Sequence, residues 1–311
     1  MNRSGATTLE MLAGIGLDIL IGDPRWMPHP VRGFGWLAMR LETLCRATGL
    51  PQRVAGVLFW VSAVSLAGAM VAASVAWLPR PWISIYWIFA LLAIRDLEFE
   101  AALVVHALRA HDLETARRMV SRIVGRDTVS LDESEVVRAT IETVAENLSD
   151  AVVAPLFYLA LAGPVGMGVY KAINTLDSMA GHRNTRYREF GWASARADDL
   201  ANLIPARLTA VLIWFCALIL RYDARRSVAV TLRDARRQPS PNSGYPEAAV
   251  AGALGIRLGG VNYYDGVASR KEFLGDPVIP LTADLFPKLR AILYGCSALM
   301  ALGTAGVMRW R

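Results

Sequence analysis

The chain has 311 residues, is 54% hydrophobic and carries a net charge of +6, with a mean hydropathy of +0.34. That mean is high for a soluble domain and low for a protein that is nearly all membrane, so several membrane segments joined by sizeable polar loops are expected. The arginines are scattered and no nucleic-acid motif is present, which argues against nucleic acid and leaves the basic excess to cytoplasmic loops or anionic substrates.

An apolar segment, Leu9 to Ile21, opens the chain; Glu10 and Asp18 interrupt it and no small-residue cleavage site follows, so it does not read as a signal peptide. It leads into GDPRWMPHPVRGFG, where Pro24, Pro28 and Pro30 fix φ and discourage helix. Such a stretch holds Asp23, His29 and Arg32 in a set geometry. Two readings stand: a stiff interfacial linker, or a site in which His29 acts as a general base or positions a substrate carboxylate.

Val54 to Leu78 is free of charge and long enough to cross a bilayer; after Pro79, Arg80 and Pro81, Trp82 to Ile94 runs back, which predicts a transmembrane hairpin over 54–94 with Trp82, Tyr86 and Trp87 at the interface. Over 95–150, apolar residues recur at helical spacing (Leu97, Ala101, Val104, Val105, Leu108), predicting amphipathic surface helices. Ala151 to Tyr170 is a third apolar run, broken by Pro155, Gly163 and Pro164; Ala206 to Leu220 is short and contains Arg207; Leu289 to Met308 forms a C-terminal transmembrane helix. Without strand-rich segments or repeats, the expected fold is all-α and polytopic. A single membrane-embedded domain over 1–311 would carry polar motif-bearing loops over 171–288. Cys45, Cys216 and Cys296 show no metal spacing and read as reduced structural residues.

Three stretches carry chemistry. In IETVAENLSDAVVAP, Glu142, Glu146 and Asp150 are spaced by four, so an α-helix places all three carboxylates on one face. That face is either solvated or holds a cation, and oxygen-only ligands suit Mg²⁺. NTLDSMAGHRNTRYREFGWASARADDLANLIPAR is the densest polar region, with Asn174, Asp177, His182, Arg183, Arg196, Asp198, Asp199, Asn202 and Arg207. Its arginines suit phosphate oxygens and its Asp and Asn residues an accompanying Mg²⁺; a charged loop with internal salt bridges is the plain alternative. Adjacent Asp198 and Asp199 cannot share one helix face. QPSPNSGYPEAAVAGALGIRLGG places Ser240 and Asn242 in a turn before a helix starting near Glu247, an arrangement that suits an anion.

Taken in order, DILIGDPRWMPHPVRGFG, VGRDT, ETVAENLSDAVVAPLFY, NTLDSMAGHRN, FGWASARADDLANLIPARL and SPNSGYPEAAVAGALGIRLGG resemble the adenosylcobinamide-phosphate synthase family of cobalamin biosynthesis, the CobD/CbiB membrane proteins, over about residues 9 to 300. The resemblance implies an ATP- and Mg²⁺-dependent amide ligation. The propionate carboxylate of adenosylcobyric acid, activated as an acyl phosphate, would be joined to an amino-alcohol phosphate such as aminopropanol phosphate. It implies a corrinoid substrate, the lipid bilayer and other cobalamin-biosynthesis enzymes as partners, in the inner (plasma) membrane. On this reading Glu142, Glu146, Asp150, Asp198 and Asp199 would hold metal. Asn174, Asp177, His182, Arg183, Arg196, Asn202, Arg207, Ser240 and Asn242 would contact substrate and phosphates, and Asp23, His29 and Arg32 would orient the carboxylate or amine. The competing class is a membrane carrier or scaffold that binds corrinoid or an organic anion without turnover.

Crossing by all five runs from Val54 onward would split these motifs across the bilayer, although ATP is found on one face. The broken run 151–170 and the short run 206–220 are therefore expected to be re-entrant or partly buried in protein. His182, Asp198 and Asn242 are expected to converge with Asp23 and Glu146 on the cytoplasmic side.

Overall fold

The computed structural model describes residues 6–24, 26–27, 29–182, 184–264 and 266–310. Among them the chain forms helices α1 (Thr8–Ile21), α2 (Pro30–Ala47), α3 (Gln52–Trp77), α4 (Trp82–Leu91), α5 (Ile94–Arg109), α6 (Leu113–Val120) and α7 (Glu133–Leu148). A π-helical turn (Ser149–Val153) leads to α8 (Ala154–Ala180), followed by α9 (Trp192–Ala201), α10 (Leu203–Ile219), α11 (Ala224–Asp234), α12 (Gly244–Leu254), the strands β1 (Leu258–Tyr264) and β2 (Val267–Leu274), and α13 (Phe286–Trp310). The all-α polytopic fold is as the sequence predicts. The chain divides into two compact units. The first takes the described residues up to Ala93, Ala154–Leu203 and those from Ala301 on; the second takes Ile94–Val153 and Ile204–Met300.

In the first unit, local signals set the helix ends. Thr7 and Glu10 close a capping box on α1, and Pro30 opens α2 behind an N-cap at His29. The 26 residues of α3 span about 39 Å, enough for the ~30 Å hydrocarbon core. With ten residues, α4 reaches only about 15 Å, shorter by itself than the hydrocarbon core that the return leg of the predicted 54–94 hairpin would have to cross. Its apolar residues serve protein packing instead: Trp87, Ile88, Phe89, Ala90 and Leu91 are buried. Gly14 of α1 sits so close that a Cβ there would meet the Ile88 side chain at 2.6 Å. A core of Ala38, Ala55, Phe59, Ala63, Leu176, Ala180 and Phe190 joins α2, α3 and α8, with the Phe59 and Phe190 rings 5.1 Å apart. Each buried phenylalanine contributes roughly 1.5–3 kcal/mol.

The run 151–170 breaks where the sequence suggested. Ala162 and Gly163 leave helical geometry, Gly163 with φ +65°, just before Pro164, whose ring and missing N–H disrupt the preceding turn.

In the second unit, α5, α6 and α7 match the predicted amphipathic stretch. The hairpin of β1 and β2 was not expected. It is antiparallel, pairs Gly260 with Lys271, and carries an irregularity between Leu258 and Gly260. Glycines and charged residues in 258–274 obscure the period-2 pattern that marks a strand. Asp127 tethers it: its N–H donates to the Tyr263 carbonyl at 2.8 Å and its carboxylate accepts from the Gly266 N–H at 2.8 Å.

Among the described residues, three helical stretches are long and apolar enough to cross a membrane: Gln52–Trp77, Glu133–Ala180 and Ala283–Trp310. A fourth exists if α9 and α10, bent by 41°, form one broken span. The most apolar window of the 133–180 series is 56% buried, against 39% for the other two, in keeping with a run partly covered by protein. Single cysteines replacing the exposed Asn184 and Leu232, in a cysteine-free background, are expected to react with an impermeant maleimide from the cytoplasmic side. Labelling from opposite sides would place the motif-bearing loops across the bilayer from one another.

Candidate functional site

The second unit holds a buried ionic cluster built on α7. One turn apart, Glu142 and Glu146 share a face of the helix. The Glu142 carboxylate pairs with Arg126 Nη1 at 2.9 Å and Arg138 Nη1 at 3.4 Å, and accepts from the Gly259 N–H at 2.9 Å. Arg138 is anchored on the carbonyls of Gly259 at 2.6 Å and Val261 at 3.3 Å, while Arg126 also donates to Asn262 Oδ1. The approach needs glycine at 259, where φ is +85° and a Cβ would lie 2.2 Å from the Glu272 carbonyl. The VGRDT, ETVAEN and RLGG motifs thus meet at one point.

Of the three acids predicted to share a face, Glu142 and Glu146 lie on α7 and Asp150 follows in the π-helical turn. Glu142 is compensated by arginines of the protein itself. No group of three or more His, Cys, Asp or Glu among the described residues stands where it could hold a metal ion.

The same cluster contains two residues that sequence reasoning missed. Glu247 on α12 is fully buried, and neither carboxylate oxygen has a hydrogen-bond partner among the described residues. Lys271 of β2, Glu142, Glu146 and Arg126 are the charges that face it. Burial pushes the Glu247 carboxyl well above the usual carboxylate range, with Lys271 opposing the shift and the two glutamates adding to it. Burial disfavours the Lys271 ammonium, yet Glu247, Glu146 and Glu142 together hold its pKa above the ordinary value. A signal for Glu247 was present: it is the only charged residue in an otherwise apolar eleven-residue helix, GYPEAAVAGAL.

The SPNSG turn forms a second polar group in this unit. Ser240 Oγ accepts from the N–H groups of Asn242 and Ser243, both at 3.2 Å, and so shapes the turn. Arg207 reaches Asn242 Oδ1 at 3.4 Å and lies over the Tyr245 ring, 4.2 Å from its centroid. A hydrogen bond with Arg236, and Arg207 nearby, keep the Tyr245 phenol below its ordinary pKa. Two guanidinium groups beside a phenol and an amide make a fitting phosphate grip. Helix α12 begins at Gly244, three residues before the expected start.

In the first unit, Asp198 accepts from Asn174 Nδ2 at 3.2 Å and from Asn202 Nδ2 at 3.0 Å. Asn202 in turn accepts from the Tyr170 hydroxyl at 2.9 Å, and the Tyr170 ring stacks on Tyr158. Asp199 points elsewhere and pairs with Arg196 at 3.8 Å, as adjacent positions on a helix require. The Asp177 carbonyl accepts from the Gly181 N–H at 2.6 Å, His182 lies beside the Tyr187 ring, and Arg183 lies outside the described residues. Asp198 is the one carboxylate of this group, held by the amide nitrogens of Asn174 and Asn202. Mg²⁺ can be held through one carboxylate when phosphate and water complete its shell.

Also in this unit, Asp23 Oδ2 lies 3.1 Å from His29 Nε2, and His29 Nδ1 accepts from the Val31 N–H at 3.3 Å. That donor places the imidazole proton on Nε2, facing Asp23. With Nδ1 held by the backbone and Nε2 beside the Asp23 carboxylate, the arrangement suits a positioning residue. Arg32 sits on the first turn of α2. Of the residues expected to converge, Asp23, His182 and Asp198 belong to the first unit, and Glu146 and Asn242 to the second.

Fold and clusters define a polytopic helical membrane protein with buried, charge-rich polar centres. The CobD/Cbib protein family matches residues 11–292. Cobalamin biosynthesis protein CobD of Pelobacter propionicus is 47% identical over 308 residues, covering 94% of each chain. The protein of that name from Geobacter metallireducens is 46% identical, over 97% of this chain and 96% of its own, and that from Rhodobacter capsulatus 46% identical over 88% and 89%. No solved structure matches. The chain belongs to the CobD/CbiB family.

Proposed function

We propose that this protein is an adenosylcobinamide-phosphate synthase, a carbon–nitrogen ligase that joins the free carboxylate of adenosylcobyric acid to an amino-alcohol phosphate at the expense of ATP. The family carries the reading to cobalamin biosynthesis. The observation that supports ligation is the chemistry present in each unit: a buried carboxylate–cation cluster and an arginine group at the SPNSG turn in the second, and the Asp198 carboxylate with its amides in the first. Amide ligation needs sites for an amine, a metal-bound phosphate and a carboxylate, and a dry surround that keeps the activated carboxylate from water.

MgATP supplies the activation of the carboxylate. Of this chain's residues, Asp198 would hold the metal with its carboxylate oriented by Asn174 and Asn202, and Arg207, Asn242 and the SPNSG turn would grip phosphate oxygens. Asp23 and His29 would orient a substrate group at the entry to α2. The buried Arg126–Glu142–Arg138 group fixes the hairpin on α7 and excludes water there. The site would face the cytoplasm, where ATP is found.

The test uses the full chain, purified in detergent and incubated with adenosylcobyric acid, MgATP and candidate amino-alcohol phosphates, with products followed by mass. Amide formation with concomitant nucleotide cleavage is expected. Corrinoid binding without turnover, whatever the donor, would leave a carrier or scaffold. Within the same assay, Arg207→Ala is expected to raise the KM for a phosphorylated substrate about tenfold with a smaller change in kcat, the loss of a charge-assisted hydrogen bond. Arg207→Lys should not restore it fully, because a single ammonium cannot replace the planar fork over Tyr245. Unchanged KM values for both phosphorylated substrates would make Arg207 a structural residue of the turn.

A further inference from the structure

Glu247 is buried with two unsatisfied carboxylate oxygens, and in the same cluster Asn262 Nδ2 and Arg126 Nε are buried donors without a hydrogen-bond partner. An ionised carboxylate left this way is costly. The other acids are not in the same position. Glu142 is satisfied by two arginines and a backbone N–H, while Glu146, one turn on, is exposed to solvent. Between the buried floor at Glu247 and the open rim at Glu146, the half-buried Lys271 brings a primary ammonium whose charge faces both glutamates. The acids do not stand as a metal cage. The cation that faces both Glu146 and Glu247 is the Lys271 ammonium.

We propose that Glu146 and Glu247 form the seat for the primary ammonium of a small amine that also bears an anionic oxygen group, and that Lys271 is the internal stand-in for that ammonium in the ligand-free protein. An ammonium has three donors, and two carboxylates supply acceptors for charge-assisted bonds to them. The orphan donors of Asn262 and Arg126 suit the anionic end of the same molecule. Lys271 sits on β2, whose residues from Val267 to Arg270 are all exposed, so the hairpin can carry its side chain outward when the ligand's nitrogen takes its place. The identification of this amine with an amino-alcohol phosphate rests on the ligase reading; the ammonium seat itself does not.

The test is titration calorimetry on the full chain in detergent with two probes, aminopropanol phosphate and isopropyl phosphate, which lacks the amine. The wild-type protein is expected to prefer the amine by at least about tenfold, as one charge-assisted hydrogen bond implies. Glu247→Gln, which keeps the shape, should reduce that preference to within about threefold and leave isopropyl phosphate binding unchanged. Lys271→Met removes the competitor and should tighten amine binding, whereas a lysine with a merely structural or phosphate-binding role would weaken it on removal. If Glu247→Gln does not fold, Glu146→Gln on the exposed rim and Lys271→Met carry the same comparison. A full amine preference in the glutamine variants, or weaker amine binding by Lys271→Met, overturns the proposal. Amide formation by a wild-type protein that binds both probes equally overturns the seat and leaves the ligase reading intact. Amine preference without amide formation supports the seat and removes the ligase reading.

Discussion

Glu142→Ala is expected to destabilise the protein by about 3–5 kcal/mol, the range for breaking a buried ion pair by removing one partner. The size follows from what is left behind. Arg126 and Arg138 have side chains only 5% and 8% exposed and share this single carboxylate. Without it, two guanidinium groups remain in a low-dielectric interior, where charges are stable only when paired and hydrogen-bonded. The Gly259 N–H loses its acceptor as well, which loosens β1 from α7. Thermal unfolding in detergent, read by the exposure of buried aromatic residues, measures the loss. Combining Glu142→Leu with Arg126→Met should recover part of it, because apolar replacement of both partners is far less costly than removal of one. An alanine variant with an unchanged midpoint would show that water already screens this cluster, and the dry surround offered for the activated carboxylate would go with it.

The parts of the fold written in hydrophobic pattern were legible from sequence. The uncharged run inside Gln52–Trp77 forms a helix long and apolar enough to span, the helical spacing of 95–150 became α5 to α7, and Gly163–Pro164 broke its helix. The parts decided by long-range packing were not legible. Trp82 to Leu91 has the composition of a lipid-facing helix, but its length and its contact with α1 make it part of the protein interior. The 3.6-residue period anticipated the helix through Leu148 but not the π-helical turn that holds Asp150. Spacing along one helix brought Glu142 and Glu146 together correctly. It could not reveal that their surroundings come from residues over a hundred positions away, on a hairpin whose strand pattern is faint. Glu247 offered a sign of its own, a lone acid in an apolar helix, and that sign is independent of tertiary contacts. His29 shows the opposite limit: its residue type suggests proton transfer, but only the structure shows Nδ1 held by the Val31 N–H and Nε2 beside Asp23.

Asp198→Ala should reduce amide formation by at least about 10²-fold, the scale of losing one electrostatic contact to a reacting phosphate centre. Asp198 is central to its group because each carboxylate oxygen serves a different neighbour, Asn174 on α8 and Asn202 at the end of α9. Removing it therefore has two consequences, a lost candidate metal ligand and two amides without an acceptor. The isosteric Asp198→Asn variant separates them. It retains a carbonyl acceptor for one neighbour and much of the packing, so its thermal midpoint should stay within a few degrees of wild type, as expected for a change near 1 kcal/mol. The charge is gone, however, and Mg²⁺ binds chiefly through carboxylates and phosphates. The Mg²⁺ concentration giving half-maximal turnover should rise severalfold, and excess Mg²⁺ should recover part of the rate. Asn174→Ala removes one neighbour and keeps the charge, so it should move that requirement much less. An Asp198→Asn variant that loses turnover at an unchanged Mg²⁺ requirement would reassign Asp198 as the anchor between α8 and α9, and the metal would have to be held by other oxygen donors.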